Sequence, residues 1–345
     1  MAVAALRARH LVLLSIRRGP KQSINAARSE AKRDLLAIGV IFHSGLLACV
    51  ASRGYPIFEL LAISWLTAAI AMSATTVLHH AGHGRFSRKA WLNAALTHLA
   101  TPVGYHVQFW GLKHRIHHAV TASYPSDGYT SASLLLRLHP AAPYRSWHKY
   151  QAYYIWFGYS IYWLVDQLAQ VRFLLTGSIP YSDRTCILRR WLLGWFYEKM
   201  ATLTVLLPYI LVGGRTILVA LLVSGIAGSL IAGAIVGVGH INEGLEYPST
   251  GQEMKNWQAR VVAATASFSV DSHLVGWLTG GMTMHAAHHL KPIATRRELR
   301  QLHEDLRCDK TLSTLGVKPV EFATLGSALR GHVRVLKLWG RCGNA

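Results

Sequence analysis

Residues 284–289 read Met-His-Ala-Ala-His-His. His285, His288 and His289 therefore stand at positions i, i+3 and i+4, which share one face of a helix. Three imidazoles on one face can all reach one metal centre. The spacing recurs in Lys113-His-Arg-Ile-His-His118, at His114, His117 and His118. A third cluster, His79-His80-Ala81-Gly82-His83, sets His79 and His83 at i and i+4. Histidine is 19 of 345 residues, and random placement would yield a given H-x-x-H-H about 0.06 times. It occurs twice, so the chain reads as a scaffold that gathers histidine clusters.

The composition says what surrounds them. Hydrophobic residues make up 51% and charged residues 15%, and the mean hydropathy is +0.24. That balance suits a membrane protein. The net charge is +20, but the basic residues alternate with long apolar runs. They read as positive-inside flanks of spans rather than a nucleic-acid surface. Cys49, Cys186, Cys308 and Cys342 form no C-x-x-C, so neither a zinc knuckle nor a disulfide framework is indicated.

Four spans are expected, at 35–52, 56–78, 195–214 and 216–239. Residues 1–34 form a basic arm before the first hairpin, 35–78. Residues 79–194 form an interfacial region with two clusters, 195–239 the second hairpin, and 240–345 a C-terminal region with the third cluster. Residues 90–112 lack charge but hold Asn93, His98, Pro102, Gly104 and His106, and read as a re-entrant or interfacial hairpin. Residues 151–176 contain Asp166, Gln167 and Gln170 and read as an amphipathic helix in the interface. Thr295-Arg-Arg-Glu298 is a capping box that opens a helix to about Leu306, and 323–338 reads as a last basic helix. In this arrangement all three clusters lie on one side. Lys and Arg agree, with eight before the first span, 13 in 79–199, 13 after 239, and one in each outer turn. The expected fold is thus all-α: a four-span transmembrane bundle with a cytoplasmic helical cap holding a histidine-rich di-metal site.

Neutral imidazole suits zinc, copper, nickel and iron. Zinc usually takes four ligands, so eight or nine histidines exceed one zinc and suit two metals. No aligned Glu-x-x-His pair of the carboxylate di-iron bundles is present. A histidine-rich iron pair at a membrane surface points to oxygen chemistry on a lipid-like substrate.

From about residue 75 to 340 the chain resembles the membrane-bound fatty acid desaturases. Leu78-His-His-Ala-Gly-His-Gly-Arg-Phe86 is similar to the first box, usually His-Asp-x-x-His, with His80 in the aspartate position. Residues 113–118 resemble the second box, and Gly280-Gly-Met-Thr-Met-His-Ala-Ala-His-His-Leu-Lys-Pro292 the third. Gly239-His-Ile-Asn-Glu-Gly-Leu-Glu-Tyr-Pro248 is similar to the stretch preceding the third box. The resemblance implies two irons (Fe2+/Fe3+) held by His79, His83, His114, His117, His118, His240, His285, His288 and His289. It implies O2-dependent insertion of a cis double bond into an acyl chain carried on coenzyme A, carrier protein or a lipid. With no His-Pro-Gly-Gly heme motif in the chain, it implies a separate electron donor, a ferredoxin or a cytochrome b5. His80 is expected either to orient a ligand or to exchange roles with His79, with His79 preferred as the ligand, and His80→Asp is expected to keep activity. Val236 stands one turn before His240, where some members carry an asparagine.

Structural roles are expected for His43, His98, His106 and His273, and tolerance to substitution for His43 and His332. Asp127, Glu243 and Asp271 are candidate partners for ligand imidazoles. Gly280-Gly281 reads as a site of close packing, and Trp110, Trp147, Trp163 and Trp277 as an interface belt. A hydroxylase, ketolase or acetylenase on the same scaffold is the alternative activity. A metal transporter is disfavoured, because its ligands belong near mid-membrane.

Overall fold

The computed structural model describes residues 21–98, 106–131, 134–176, 188–248 and 256–341. The first twenty residues of the basic arm, and Pro102 and Gly104, lie outside the described residues. The described chain is almost wholly helical and divides into two compact units.

One unit comprises residues 28–112 and 156–234. Its first helix, α1 (Lys21–Ala51), is already helical at Lys21, ahead of the expected Leu35. Residues 26–34 read Ala-Ala-Arg-Ser-Glu-Ala-Lys-Arg-Asp, mostly strong helix formers, so the helix extends beyond the apolar run. Gly54, at φ +84°, makes the turn. Pro56 then starts α2 (Pro56–Met72), a favoured first-turn position. Phe42, Leu46 and Cys49 of α1 pack with Ala62, Leu66 and Ile70 of α2 and with Ile217 and Ala220 of α9 (Arg215–His240).

This unit turns apolar groups outward. Leu36, Val40, Ile57, Phe58, Leu61, Leu218 and Leu222 are exposed, while Asp166, Gln170, Glu198 and Ser224 are buried. Such a surface is suited to lipid. Ser224 Oγ donates to the Ile63 carbonyl at 3.2 Å, so the buried hydroxyl has a backbone partner. Three described helical stretches are long and apolar enough to cross a membrane: Ser23–Ala51, Pro56–Gly82 and Arg215–His240. The expected span at 195–214 is helical, within α8 (Leu188–Gly213), but is not among them. Glu198 and Lys199 near its start and Pro208 inside it dilute its apolar character. Helix α7 (Gln151–Thr176) matches the expected 151–176 helix, and its polar face, Asp166 and Gln170, is buried while Phe157, Leu168 and Leu175 are exposed. Its amphipathicity is therefore inverted relative to a helix with a water-facing polar side. The 90–112 stretch forms α4 (Ala90–Thr97) and the start of α5 (Val107–Ala119).

The other unit holds residues 113–155 and 235–341, with 21–27. Helices α10 (Trp257–Ala263), α12 (His285–Leu290) and α13 (Arg296–Arg307) bury Val261, Val262, Met284, Ala287, Leu290 and Leu299 in one core. Each large side chain so buried contributes roughly 1.5–3 kcal/mol. The capping box forms: Thr295 Oγ1 accepts the Glu298 N–H, and Glu298 accepts the Thr295 N–H at 2.8 Å. A two-stranded parallel sheet pairs β1 (Ala266–Phe268) with β2 (Val320–Phe322), Ala266 opposite Val320. The unit also holds α6 (Gly128–Ser131) and α14 (Lys310–Thr314), and α15 (Leu325–Trp339) closes it. Gly280 and Gly281 take φ +64° and +90°, a conformation that favours glycine, and a Cβ on Gly281 would also lie 3.2 Å from Leu299 Cδ1, the close packing expected there. They turn the chain from α11 (His273–Leu278) into the third histidine cluster.

Candidate metal centre

Seven of the nine candidate ligands lie in the second unit, on three helix segments. Helix α5 carries His114, His117 and His118 on one turn and a quarter. Helix α9 ends on His240, and α12 carries His285, His288 and His289. All seven are buried.

Their nitrogens converge. His117 Nε2 lies 3.0 Å from His240 Nε2, and His285 Nε2 lies 2.7 Å from that same atom. His118 Nε2 is 3.1 Å from His114 Nε2, and the His118 and His289 rings stack at 4.0 Å. Donor atoms of His117, His240 and His289 lie within 4.8 Å of one another, as do those of His114, His118 and His288.

The protons can be placed. His117 Nδ1 lies 2.9 Å from Asp127 Oδ2, and a carboxylate only accepts, so His117 carries its proton on Nδ1. Asp127 is fully buried and is held by the backbone N–H groups of Ala122 and Tyr129, at 2.7 and 2.9 Å. Thr121 Oγ1 donates to the His117 carbonyl at 3.0 Å and so accepts from His289 Nδ1 at 3.1 Å. Both Nε2 lone pairs are left facing inward, and that of His289 has no hydrogen-bond partner among the described residues. Buried lone pairs aimed at one another are costly unless a cation lies between them. Burial first, and then neighbouring imidazoles, push His289 well below the ordinary histidine range. Burial, with His117 second, pushes His285 down to about 3. Both are therefore neutral at physiological pH, as metal ligands must be. An all-imidazole donor set suits iron, zinc, copper or nickel, and disfavours calcium and magnesium.

In the first unit, His79 and His83 bring donor atoms within 4.8 Å of each other. They lie on α3 (His79–Gly82) and its C-cap. A π-helical turn, Ser73–Leu78, precedes them; such a bulge re-aims the side chains that follow. His80 points elsewhere. Arg85 Nη1 lies 3.2 Å from His80 Nδ1, and His80 Nε2 lies 3.5 Å from Asp34 Oδ2. Trp110, expected in an interface belt, is buried with its ring 6.2 Å from that of His79. A Cβ on Gly82 would lie 2.6 Å from it.

The remaining candidates separate. His43 meets Tyr209 Oη at 2.8 Å, His106 meets Glu198 at 2.8 Å and His98 meets Thr202 at 3.3 Å, all outside the clusters, while His273 is exposed. Of the candidate acids, only Asp127 holds a cluster imidazole. Glu243 pairs with Arg334 at 3.0 Å, and the exposed Asp271 lies 3.7 Å from Arg300. Val236 packs against the apolar cluster of Val238, Phe268 and Met282. Sequence reasoning missed Thr121, which stands four residues after His117 on the same face. It also missed Gly239, whose added Cβ would meet the His285 ring at 3.0 Å.

Comparison with known proteins adds an independent line. The model of the fatty acid desaturase family matches residues 57–310. An sn-1 linoleoyl-lipid 6-desaturase of Arthrospira platensis is 26% identical over 229 residues, 63% of this chain and 61% of that protein. An acyl-lipid omega-13 desaturase of Chlamydomonas reinhardtii is 25% identical over 283 residues, 75% of this chain and 57% of that protein. An sn-1 linoleoyl-lipid 6-desaturase of Synechocystis sp. is 22% identical over 330 residues, 90% of this chain and 88% of that protein. The chain thus spans less than two thirds of the length of the first two relatives.

Proposed function

This chain belongs to the fatty acid desaturase family, and from that premise we propose that it inserts a cis double bond into an acyl chain of a membrane lipid, using O2 and two irons. The relatives named above are acyl-lipid or lipid-linked desaturases, which favours a glycerolipid over a coenzyme A thioester. Membership makes the protein an oxidoreductase. The proposed overall change removes two hydrogens from adjacent methylenes. O2 with two electrons and two protons becomes two waters. A separate ferredoxin or cytochrome b5 supplies the electrons.

The observation that carries this reading is the convergence of buried, neutral imidazole nitrogens with their Nδ1 protons tied back to Asp127 and Thr121. His79, His83, His114, His117, His118, His240, His285, His288 and His289 are the proposed ligands of the two irons. When bound, the irons supply the O2 activation that protein side chains lack. The chain's own residues do the rest. Asp127 and Thr121 hold the ring protons on the far nitrogens, so the lone pairs stay available. The surrounding apolar packing keeps bulk water out. In the proposed topology four helices span, with both termini and the histidine clusters on the cytoplasmic side.

Expression of the full chain in a host of known acyl profile tests the activity. Mass spectrometry should find acyl chains lighter by two hydrogens, with the double bond at one position. Products that gain oxygen instead would assign a hydroxylase or ketolase. Purified protein should carry close to two irons per chain; zinc in their place would refute the redox reading.

A further inference from the structure

We propose that Asp34, with Arg85 and Glu30, is a positioning residue that fixes the first histidine cluster through His80. This inference rests on the iron-binding reading above. Among the histidines at 79, 80 and 83, His80 has no lone pair to spare. Arg85 donates to one of its ring nitrogens at 3.2 Å, and its Nε2 lies 3.5 Å from Asp34 Oδ2. Arg85 Nη1 also lies 3.3 Å from His80 Nε2, so the guanidinium and the Asp34 carboxylate together hold the ring at both nitrogens. The other guanidinium nitrogen, Nη2, donates to Glu30 Oε1 at 3.0 Å. His80, Arg85 and Asp34 are each no more than 3% exposed, and Glu30 is 9% exposed.

The geometry ties the cluster to α1 at two points one helical turn apart, Glu30 and Asp34. The cluster's backbone is closed at the same place. The Arg85 N–H donates to the His80 carbonyl at 2.9 Å, and the His83 N–H donates to the His79 carbonyl at 3.2 Å. Arg85 is thus joined to His80 through both backbone and side chain, on the turn that carries His79 and His83. Burying two carboxylates and a guanidinium is a costly way to stabilise a helix pair that already has an apolar core of Phe42, Leu46 and Leu66. Fixed orientation of the metal ligands is what such a network supplies.

The pairing makes the effect of substitution directional. His80→Asp, benign by sequence pattern alone, would set a third carboxylate beside Asp34 and Glu30, where the Arg85 guanidinium already serves Glu30. The exchange Asp34→His with His80→Asp restores one acid and one imidazole. Asp34→Asn with His80→Asp gives the introduced carboxylate an amide donor in place of the like charge.

The test uses the full chain purified from membranes. Iron per chain after a fixed exposure to a chelator is read beside acyl product and membrane-inserted yield. His80→Asp should insert at wild-type yield and retain iron 10–100-fold less well. Both double variants should recover iron to within a few-fold of wild type. Wild-type iron retention in His80→Asp, or failure of both double variants to recover it, overturns the role of Asp34. A wild-type protein that holds no iron and makes no double bond overturns the proposed function itself, which is a separate result.

Discussion

Asp127 decides where His117 keeps its proton. It accepts from His117 Nδ1 while two backbone N–H groups hold it in place. Asp127→Ala should therefore weaken iron retention 10–100-fold with little loss of inserted protein; chelator competition measures it, and unchanged retention would show that the tautomer is fixed by other means. His332 is the second case. Its position outside the clusters suggests tolerance, but the structure buries it completely with Nδ1 2.6 Å from the carbonyl of Ile241, the residue after His240. His332→Ala should cost about 1–3 kcal/mol by stranding that carbonyl. Burial pushes His332 down from 6.5 to about 4, and the bond to Ile241 opposes this only in part. Above pH 6.5 both folded and unfolded states are neutral and pH has no effect through this group. Between 6.5 and 4 the unfolded chain takes up a proton that the folded chain excludes. Stability should then fall with pH by up to about 3 kcal/mol. His332→Gln should lack this slope, so its deficit against wild type should narrow between pH 7 and pH 5 in thermal unfolding. A deficit that stays constant would remove His332 as the cause.

At the scale of the element, α9 is built to let neighbours come close. A Cβ on Gly228 would lie 2.7 Å from Ile70 Cγ2 on α2, and one on Gly233 would lie 2.8 Å from Tyr159 Cβ on α7. A Cβ on Gly225 would meet nothing nearer than 3.8 Å. Gly228→Ala and Gly233→Ala should therefore lower thermal stability in detergent, by about 1–3 kcal/mol from overpacking. Gly225→Ala should be neutral or stabilising by up to about 1 kcal/mol, since alanine is the better helix former. Equal effects at all three positions would show that helix propensity, not packing, sets the outcome. The glycine pair at 280–281 differs: its positive φ angles penalise any side chain, whatever space is available.

For the whole molecule, the number of spans sets which regions share a side of the membrane. Among the described residues three helical stretches qualify by length and apolarity, and the proposed fourth, α8, carries Glu198, Lys199 and Pro208. The charge count favours four, because only then do the regions after α7 and after α9 share a side. Single cysteines at Ser146 and Gln301, in a background lacking Cys49, Cys186, Cys308 and Cys342, should label from the same face of sealed vesicles. Opposite faces would leave α9 as the only crossing between them and would withdraw the four-span proposal.

Much of this was readable along the chain because it is local. H-x-x-H-H spacing places imidazoles on one helical face at any folded destination, and hydropathy marks both ends of α9, the start of α2 and the C-terminal end of α1 to within a residue. The capping box at Thr295 and the helix over 325–339 are local in the same way. Other features depend on residues far apart meeting. Nothing near His80 marks Asp34, 46 residues earlier, as its partner, and three acids were equal candidates until Asp127 alone was found against an imidazole. The inverted face of α7 also escaped the pattern, because periodicity shows that a helix has two faces but not which solvent each one meets. Local spacing determined which nitrogens are available; long-range packing decided which of them are spent on hydrogen bonds and which are left to hold a metal.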